Sequence, residues 1–441
     1  VKKILFSATA LLLLACAVAY TDVMAPVLND MDDGLPASAL TRLKDVFPDS
    51  SGRDRLLYLM ELGNLARYAG QQDLAQTILL RADRLSDNLR GTDLGQQAQS
   101  MITSDLALEF RGADYEKVFI NYCLASSYAA SGNLEDATVE ARRVNEKLKE
   151  INTAYQGNSN RYTDDAFVRY FMGVLYEMDG DYDDALVSYR LALATYDSSY
   201  VRDYSLPAPE QLKSDILRLA DYNGFDDLLS GFQQQWPGTG WAGSGPNAQM
   251  GEIVAVIELG NISQRRTEDF AVYADDRVYR IALPVIPDFP RRQVSGSVSA
   301  AGLSSQLFLV QDLNGIAREN LEDEAARNVL RAAARLALKA GVSELGENIT
   351  EQLTDNENVS SGVGLLLSIL GAATEQADLR AWLTLPAQIQ MARLQVPPGT
   401  WPVEVTVNGR VFQRDPVTVQ AGEITLVFLR EELQDGTRRH N

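Results

Sequence analysis

Three stretches of this chain repeat one internal layout: a small residue, then a glycine, then one or two alanines. They are Leu62-Gly63 with Gly70, Ala75 and Ala82; Leu124-Ala125 with Tyr128, Gly132 and Ala137; and Met172-Gly173 with Tyr176, Gly180, Ala185 and Ala192. A small residue lets two helices approach closely, and a glycine reverses the chain between them, so each stretch predicts a pair of antiparallel helices. Such a pair cannot bury its apolar face alone, and stacked pairs bury it against one another. A fourth, degenerate copy runs from Leu212 to Trp236 around Asn223-Gly224. The alternative is an ordinary helical bundle.

The pattern resembles the tetratricopeptide (TPR) repeat. The stretch Phe167 to Tyr196 is the best match, with Tyr182 and Tyr189 at aromatic positions. The turn glycines at 70, 132, 180 and 224 lie further apart than the family repeat of about 34 residues. Extra segments such as Leu89 to Asp114 must therefore lengthen or interrupt the helices. Carried over position by position, the resemblance implies a binding groove lined by the first helix of each repeat: Asn64, Arg67, Tyr122, Ser126, Tyr170, Val174 and Glu177. These residues would clamp an extended peptide or helix of another protein. Alternatively, Tyr122 and Tyr170 pack between repeats.

Val1 to Tyr20 has the form of an export signal, with Lys2 and Lys3 before an apolar run from Ile4 to Ala15 that is too short to span a bilayer. The run ends in Leu13-Leu14-Ala15-Cys16, which resembles the lipobox of bacterial lipoproteins. That resemblance implies lipidation of Cys16, and Ala17 after it implies sorting to the outer membrane. Ala17-Val18-Ala19 offers the competing site of an ordinary signal peptidase, before Tyr20. With Cys16 acylated or removed, Cys123 stands alone, so no intrachain disulfide is possible and stability must come from packing. The net charge of −20 excludes an electrostatic footprint for nucleic acid.

From Trp236 to Met250 the composition turns to Pro, Gly, Ser and Asn, which reads as a linker. Beyond it, Glu252–Leu259, Arg277–Leu283 and Gln306–Val310 read as strands, Ile316–Ala340 as an amphipathic helix and Val363–Ala373 as a buried helix. Val403–Val407, Asn408-Gly409 and Arg410–Phe412 form a hairpin, followed by strands at Val417–Val419 and Ile424–Leu429. The predicted fold class is α+β: an all-α TPR-like array, then a mixed region ending in a small antiparallel sheet or sandwich. The expected divisions are a signal at 1–15, an anchor and leading segment at 16–52, the array at 53–235, a linker at 236–250, a mixed domain at 251–395 and a C-terminal β-unit at 396–441. A fragment starting near Met250 is expected to fold alone.

Ala377-Asp378-Leu379-Arg380-Ala381-Trp382-Leu383-Thr384-Leu385-Pro386-Ala387-Gln388-Ile389-Gln390-Met391-Ala392-Arg393-Leu394, followed by Pro397-Pro398-Gly399-Thr400 and preceded by Glu258-Leu259-Gly260, is similar to the signature of an uncharacterised family of proteobacterial lipoproteins with an N-terminal TPR region. The resemblance implies an outer-membrane lipoprotein facing the periplasm, with envelope proteins as partners, including those of cell-wall synthesis.

The only histidine is His440, which removes the usual Ser-His-Asp and Cys-His catalysts and histidine-based metal sites. No cofactor is expected. Gly238-x-Gly240-x-x-Gly243 follows a helix instead of a strand and serves no βαβ unit. Asp179, Asp181 and Asp183 lack the glycine and glutamate of a calcium loop and read as solvating a helix turn. The alternative function is a glycan-cleaving enzyme of the cell wall using a carboxylate as general acid.

Overall fold

A computed structural model describes residues 19–47, 52–90, 109–155, 160–241, 249–274, 277–288, 290–325 and 377–431. Cys16, the signal segment, Val363–Ala373 and His440 lie outside them.

Helix α1 (Tyr20–Asp32) and α2 (Pro36–Val46) come first, with Met24, Val27, Leu40 and Leu43 buried. The span expected to be only a leading segment is thus partly a helix pair continuous with the array. The repeats follow as α3 (Arg55–Tyr68) with α4 (Gln72–Arg90), α5 (Asp114–Ala130) with α6 (Leu134–Ala154), and α7 (Ala166–Met178) with α8 (Tyr182–Thr195). The last pair is α9 (Glu210–Tyr222) with α10 (Asp226–Gln235).

All four predicted turn glycines have left-handed φ, between +70° and +81°, a region that favours glycine for lack of a Cβ. Asn133 and Asp181 then cap the second helices, accepting the N–H of Asp136 and Asp184. The small residues act where they were expected to: a Cβ on Gly63 would lie 2.6 Å from Leu79, and one on Gly173 would lie 2.3 Å from Tyr189.

The second half is a β-sandwich laid against this array. Its strands are β1 (Gly251–Asn261), β2 (Arg266–Ala274), β3 (Arg277–Val285), β4 (Gly296–Ala300), β5 (Leu303–Gln306), β6 (Phe308–Asp312), β7 (Pro386–Val396), β8 (Gly399–Val407), β9 (Arg410–Val419) and β10 (Ile424–Glu431). One sheet has the order β10-β1-β7-β6, the other β5-β4-β8-β9, and β2 and β3 form a two-stranded sheet among the described residues. The β8–β9 turn uses Asn408 and Gly409 at positive φ, as their sequence predicts. Residues 313–325 are helical, matching the start of the long helix expected from 316 to 340; the rest of it is outside the described residues.

Two expected divisions differ from the structure. Segment 396–441 is not a unit of its own: β8 and β9 join β4 in one sheet, while β10 pairs parallel with β1 in the other. Nor does the region after 250 possess only its own core. Ile253, Ala255, Ile257 and Leu259 pack between the sheets with Ala392, Leu394, Val403 and Val405. The opposite face of the first sheet, with Val254, Val256, Ile389 and Met391, joins one continuous core with the helices. Strand alternation sends successive side chains of β1 to opposite faces, so a single strand serves both cores.

Candidate protein-binding surface

The seven residues predicted to line an open groove are all buried, because the first sheet and the segment leading into β7 occupy the face presented by α3, α5 and α7. This corrects the expectation of an unoccupied groove. On α3, Asn64 donates from Nδ2 to the Thr384 carbonyl (2.9 Å) and accepts from Arg67. Arg67 Nη2 also pairs with Glu258 of β1 at 2.8 Å, and Tyr122 of α5 donates its hydroxyl to the other oxygen of Glu258 at 2.6 Å. Burial opposes ionisation of Glu258, but Arg67 overcomes it and holds the carboxyl below its usual range. Ser126 bonds to the Cys123 carbonyl within its own helix, and Val174 is fully buried.

Further along, Tyr170 donates to Asp215 (2.6 Å) and stacks on Phe308 of β6 with centroids 6.5 Å apart. Glu177 receives Tyr189, Arg218 and Arg393, the last from β7. Arg393 also reaches Asp215 (3.2 Å) and Glu252. Burial pushes the Glu177 carboxyl up, yet Arg393 and Arg218 outweigh it and hold the group at about 2. Tyr122 also packs between repeats, edge-on to Phe167, whereas Tyr170 packs edge-on to Tyr189 within its own repeat.

Residue-by-residue transfer did not single out the acids that grip the inserted segment. Glu61 accepts the backbone N–H groups of Leu383 (2.7 Å) and Thr384 (3.1 Å), together with the Tyr20 hydroxyl. Glu116 accepts the N–H of Trp382 at 2.7 Å, and Asp165 accepts the amide of Gln311. Burial raises Glu61 to about 7 and Asp165 to about 6. Arg380 joins Asp378 to Asp54 beside this contact. The available signal was the motif 377–394 itself, whose Trp382, Thr384 and Arg393 are the residues that seat the β region on the array.

Buried carboxyls bonded to the chain's own backbone offer no approach to a glycan. Cys123 is buried without a disulfide, its thiol pushed up to about 12 by burial. Among the described residues there is no metal-binding cluster, and no helix is long and apolar enough to cross a membrane.

What the β region leaves open lies at the rim. A cleft of about 780 Å³ separates the α1–α2 and α3–α4 turns from β9 and the outer edge of β10; Asp33, Tyr68, Arg410, Arg414, Phe428 and Glu431 are among its lining residues. Of the predicted groove residues, only Arg67 reaches it. A second groove, about 650 Å³, lies between α8 and the α9–α10 turn, floored by Leu186, Val187, Phe225 and Leu228.

No family model and no curated protein matches the chain. Among solved structures it is similar to nearly identical TPR-like repeats from Podosopora anserina (14% identity, 48% of this chain and 91% of that one, TM-score 0.33). It is also similar to Bacillus thuringiensis PlcR, crystallised with the peptide PapR7 and DNA (14%, 49% and 69%, 0.28), and to PilW, a type IV pilus biogenesis factor (14%, 49% and 90%, 0.23). At these TM-scores the likenesses add nothing to the helix-pair architecture already set out, a TPR-like array followed by small sheets.

Proposed function

We propose that this chain is a protein-binding adaptor or scaffold of the cell envelope, held at the outer membrane by a lipid on Cys16 and facing the periplasm among proteins of cell-wall synthesis or envelope assembly. The observation behind this reading is that the array's helices hold a loop-and-turn segment of protein chain, residues 380–384, through buried carboxyls on its backbone N–H groups. That is protein recognition directed at the chain's own β region. It leaves the exposed rims for other proteins, and the lipobox fits an exported body.

Photocrosslinking in cells from exposed Leu35 and Val187, with buried Tyr170 as the interior control, tests the adaptor. One specific envelope adduct from a rim position and none from 170 is the expected result. Adducts from 170 alone, or only abundant bystanders throughout, would refute it. For the anchor, Cys16→Ser should release the protein from membranes; unchanged membrane association with an N-terminus at Tyr20 would rule lipidation out.

A further inference from the structure

The sheet that fills the array ends in a strand with one neighbour. Among the described residues β10 pairs with β1 alone, Glu252–Leu259 against Ile424–Glu431, and is the outer strand of its sheet. Glu252 donates its N–H to the Glu423 carbonyl. With strand alternation, Thr425, Val427 and Leu429 therefore turn their peptide groups toward β1, while Leu426 and Phe428 turn theirs outward. The same direction follows independently from Arg414, whose Nη2 donates to the Phe428 carbonyl at 2.9 Å from the far side.

The rim cleft lies directly before this edge. Adjacent strands lie about 4.8 Å apart, and the cleft of about 780 Å³ borders this edge from Leu426 to Glu431. The two sides of that space differ chemically. Toward the helices stand the half-buried side chains of Leu426, Phe428 and Tyr68, the Tyr68 ring flanked by Arg67 at 4.4 Å and Arg430 at 5.3 Å. Toward β9 stand Arg410 and Arg414, both exposed and on one face of their strand. Neither forms an ion pair among the described residues, although the chain carries 60 acidic against 40 basic residues. Glu431, Asp33 and Asp415 also border the cleft, and none is within ion-pair distance of either arginine.

We infer that this edge is a strand-addition site: an extended segment of a partner protein, alternating apolar and acidic side chains, pairs with β10. Its peptide groups bond to Leu426 and Phe428, displacing the Arg414 guanidinium from the Phe428 carbonyl, its apolar side chains cover Leu426, and its carboxylates meet Arg410 and the released Arg414. The inference rests on the adaptor reading and specifies where a partner docks and what it must look like.

The probe is a labelled, end-blocked nonapeptide of alternating valine and glutamate, titrated by fluorescence anisotropy into the full chain. It should bind, and Leu426 and Phe428 amides should gain exchange protection while Val427 and Leu429 do not change. Replacing the glutamates with lysine, or N-methylating the valines, should each weaken binding by about tenfold or more. The variant R410E/R414E should reverse the preference in favour of the lysine peptide, a gain that an unfolded protein would not show. No binding of the acidic peptide, or equal binding of the N-methylated or lysine peptide, would overturn the site. Peptide binding with no adduct in cells would remove the adaptor and leave the site intact; the reverse would remove only strand addition.

Discussion

The two faces of β1 solve the same burial problem by different means. Toward the sandwich it presents Ile253, Ala255, Ile257 and Leu259, packed on Ala392, Leu394 and Val427 without a charge among them. Toward the array it presents Glu252, Val254, Val256 and Glu258, and both glutamates are paired with arginines. Apolar packing is non-directional and tolerates small shifts, whereas each buried pair has one geometry. The sandwich face therefore holds the sheets together, and the array face fixes where the sheet sits along the helices.

The sharpest way to break this contrast is Arg393→Ala, which leaves Glu177 and Asp215 buried beside Arg218 alone. Removing one partner of a buried pair costs about 3–5 kcal/mol, and urea unfolding should register that loss. An unchanged urea midpoint would mean that the array face holds by apolar contact alone.

The next largest effect is one of pH. Glu61 has its folded pKa raised from 4.5 to about 7 by burial, so the unfolded chain ionises first as pH rises. Its contribution is absent below about 4.5, and it destabilises the fold progressively between 4.5 and 7, by about 3 kcal/mol at the plateau. Asp165 acts in the same direction between 3.8 and about 6. Glu177 is opposite: its stabilisation is complete above 4.5 and disappears as pH falls through about 2. Urea midpoints at pH 5 and 8 should differ in wild type, and E61Q should narrow the difference. An identical pH dependence in E61Q would remove Glu61 as its source.

Smaller effects test close packing. Gly173→Ala places a methyl against the Tyr189 ring and should cost about 1–3 kcal/mol by overpacking. On the sandwich face, Ile257→Val should cost about 0.5–1.5 kcal/mol with no change in the pH profile. A loss for Ile257→Val as large as that for Arg393→Ala would erase the distinction between the two faces.

How much of this was legible in the sequence follows the range of each interaction. Gly70, Gly132, Gly180 and Gly224 announce themselves because a positive φ is a local demand, and Asn408-Gly409 does so for the same reason. The groove residues are buried, and the β region that bonds to Asn64, Arg67, Tyr122 and Glu177 was not legible. Glu61 and Glu116 look like ordinary helix acids until Leu383 and Trp382, hundreds of positions later, bring their backbone to them. The helices α1 and α2 also turn on a glycine, Gly34 at φ +72°, but without the small-residue and alanine spacing of the other pairs they were passed over as a leader. The pairing of β10 with β1 has no local signature, because a parallel partner is chosen by the whole topology.

That parallel pairing orders events in time. β1 begins at residue 251, yet its neighbours β7 and β10 begin at 386 and 424. During synthesis the helices, rich in near-sequence contacts, are complete long before the strands that cover them. For that interval the acids Glu61, Glu116 and Asp165 face an empty concavity, and a chaperone or competitor can reach it. Once the last strand arrives, that opportunity closes, so the age of the molecule determines which of its surfaces another protein meets.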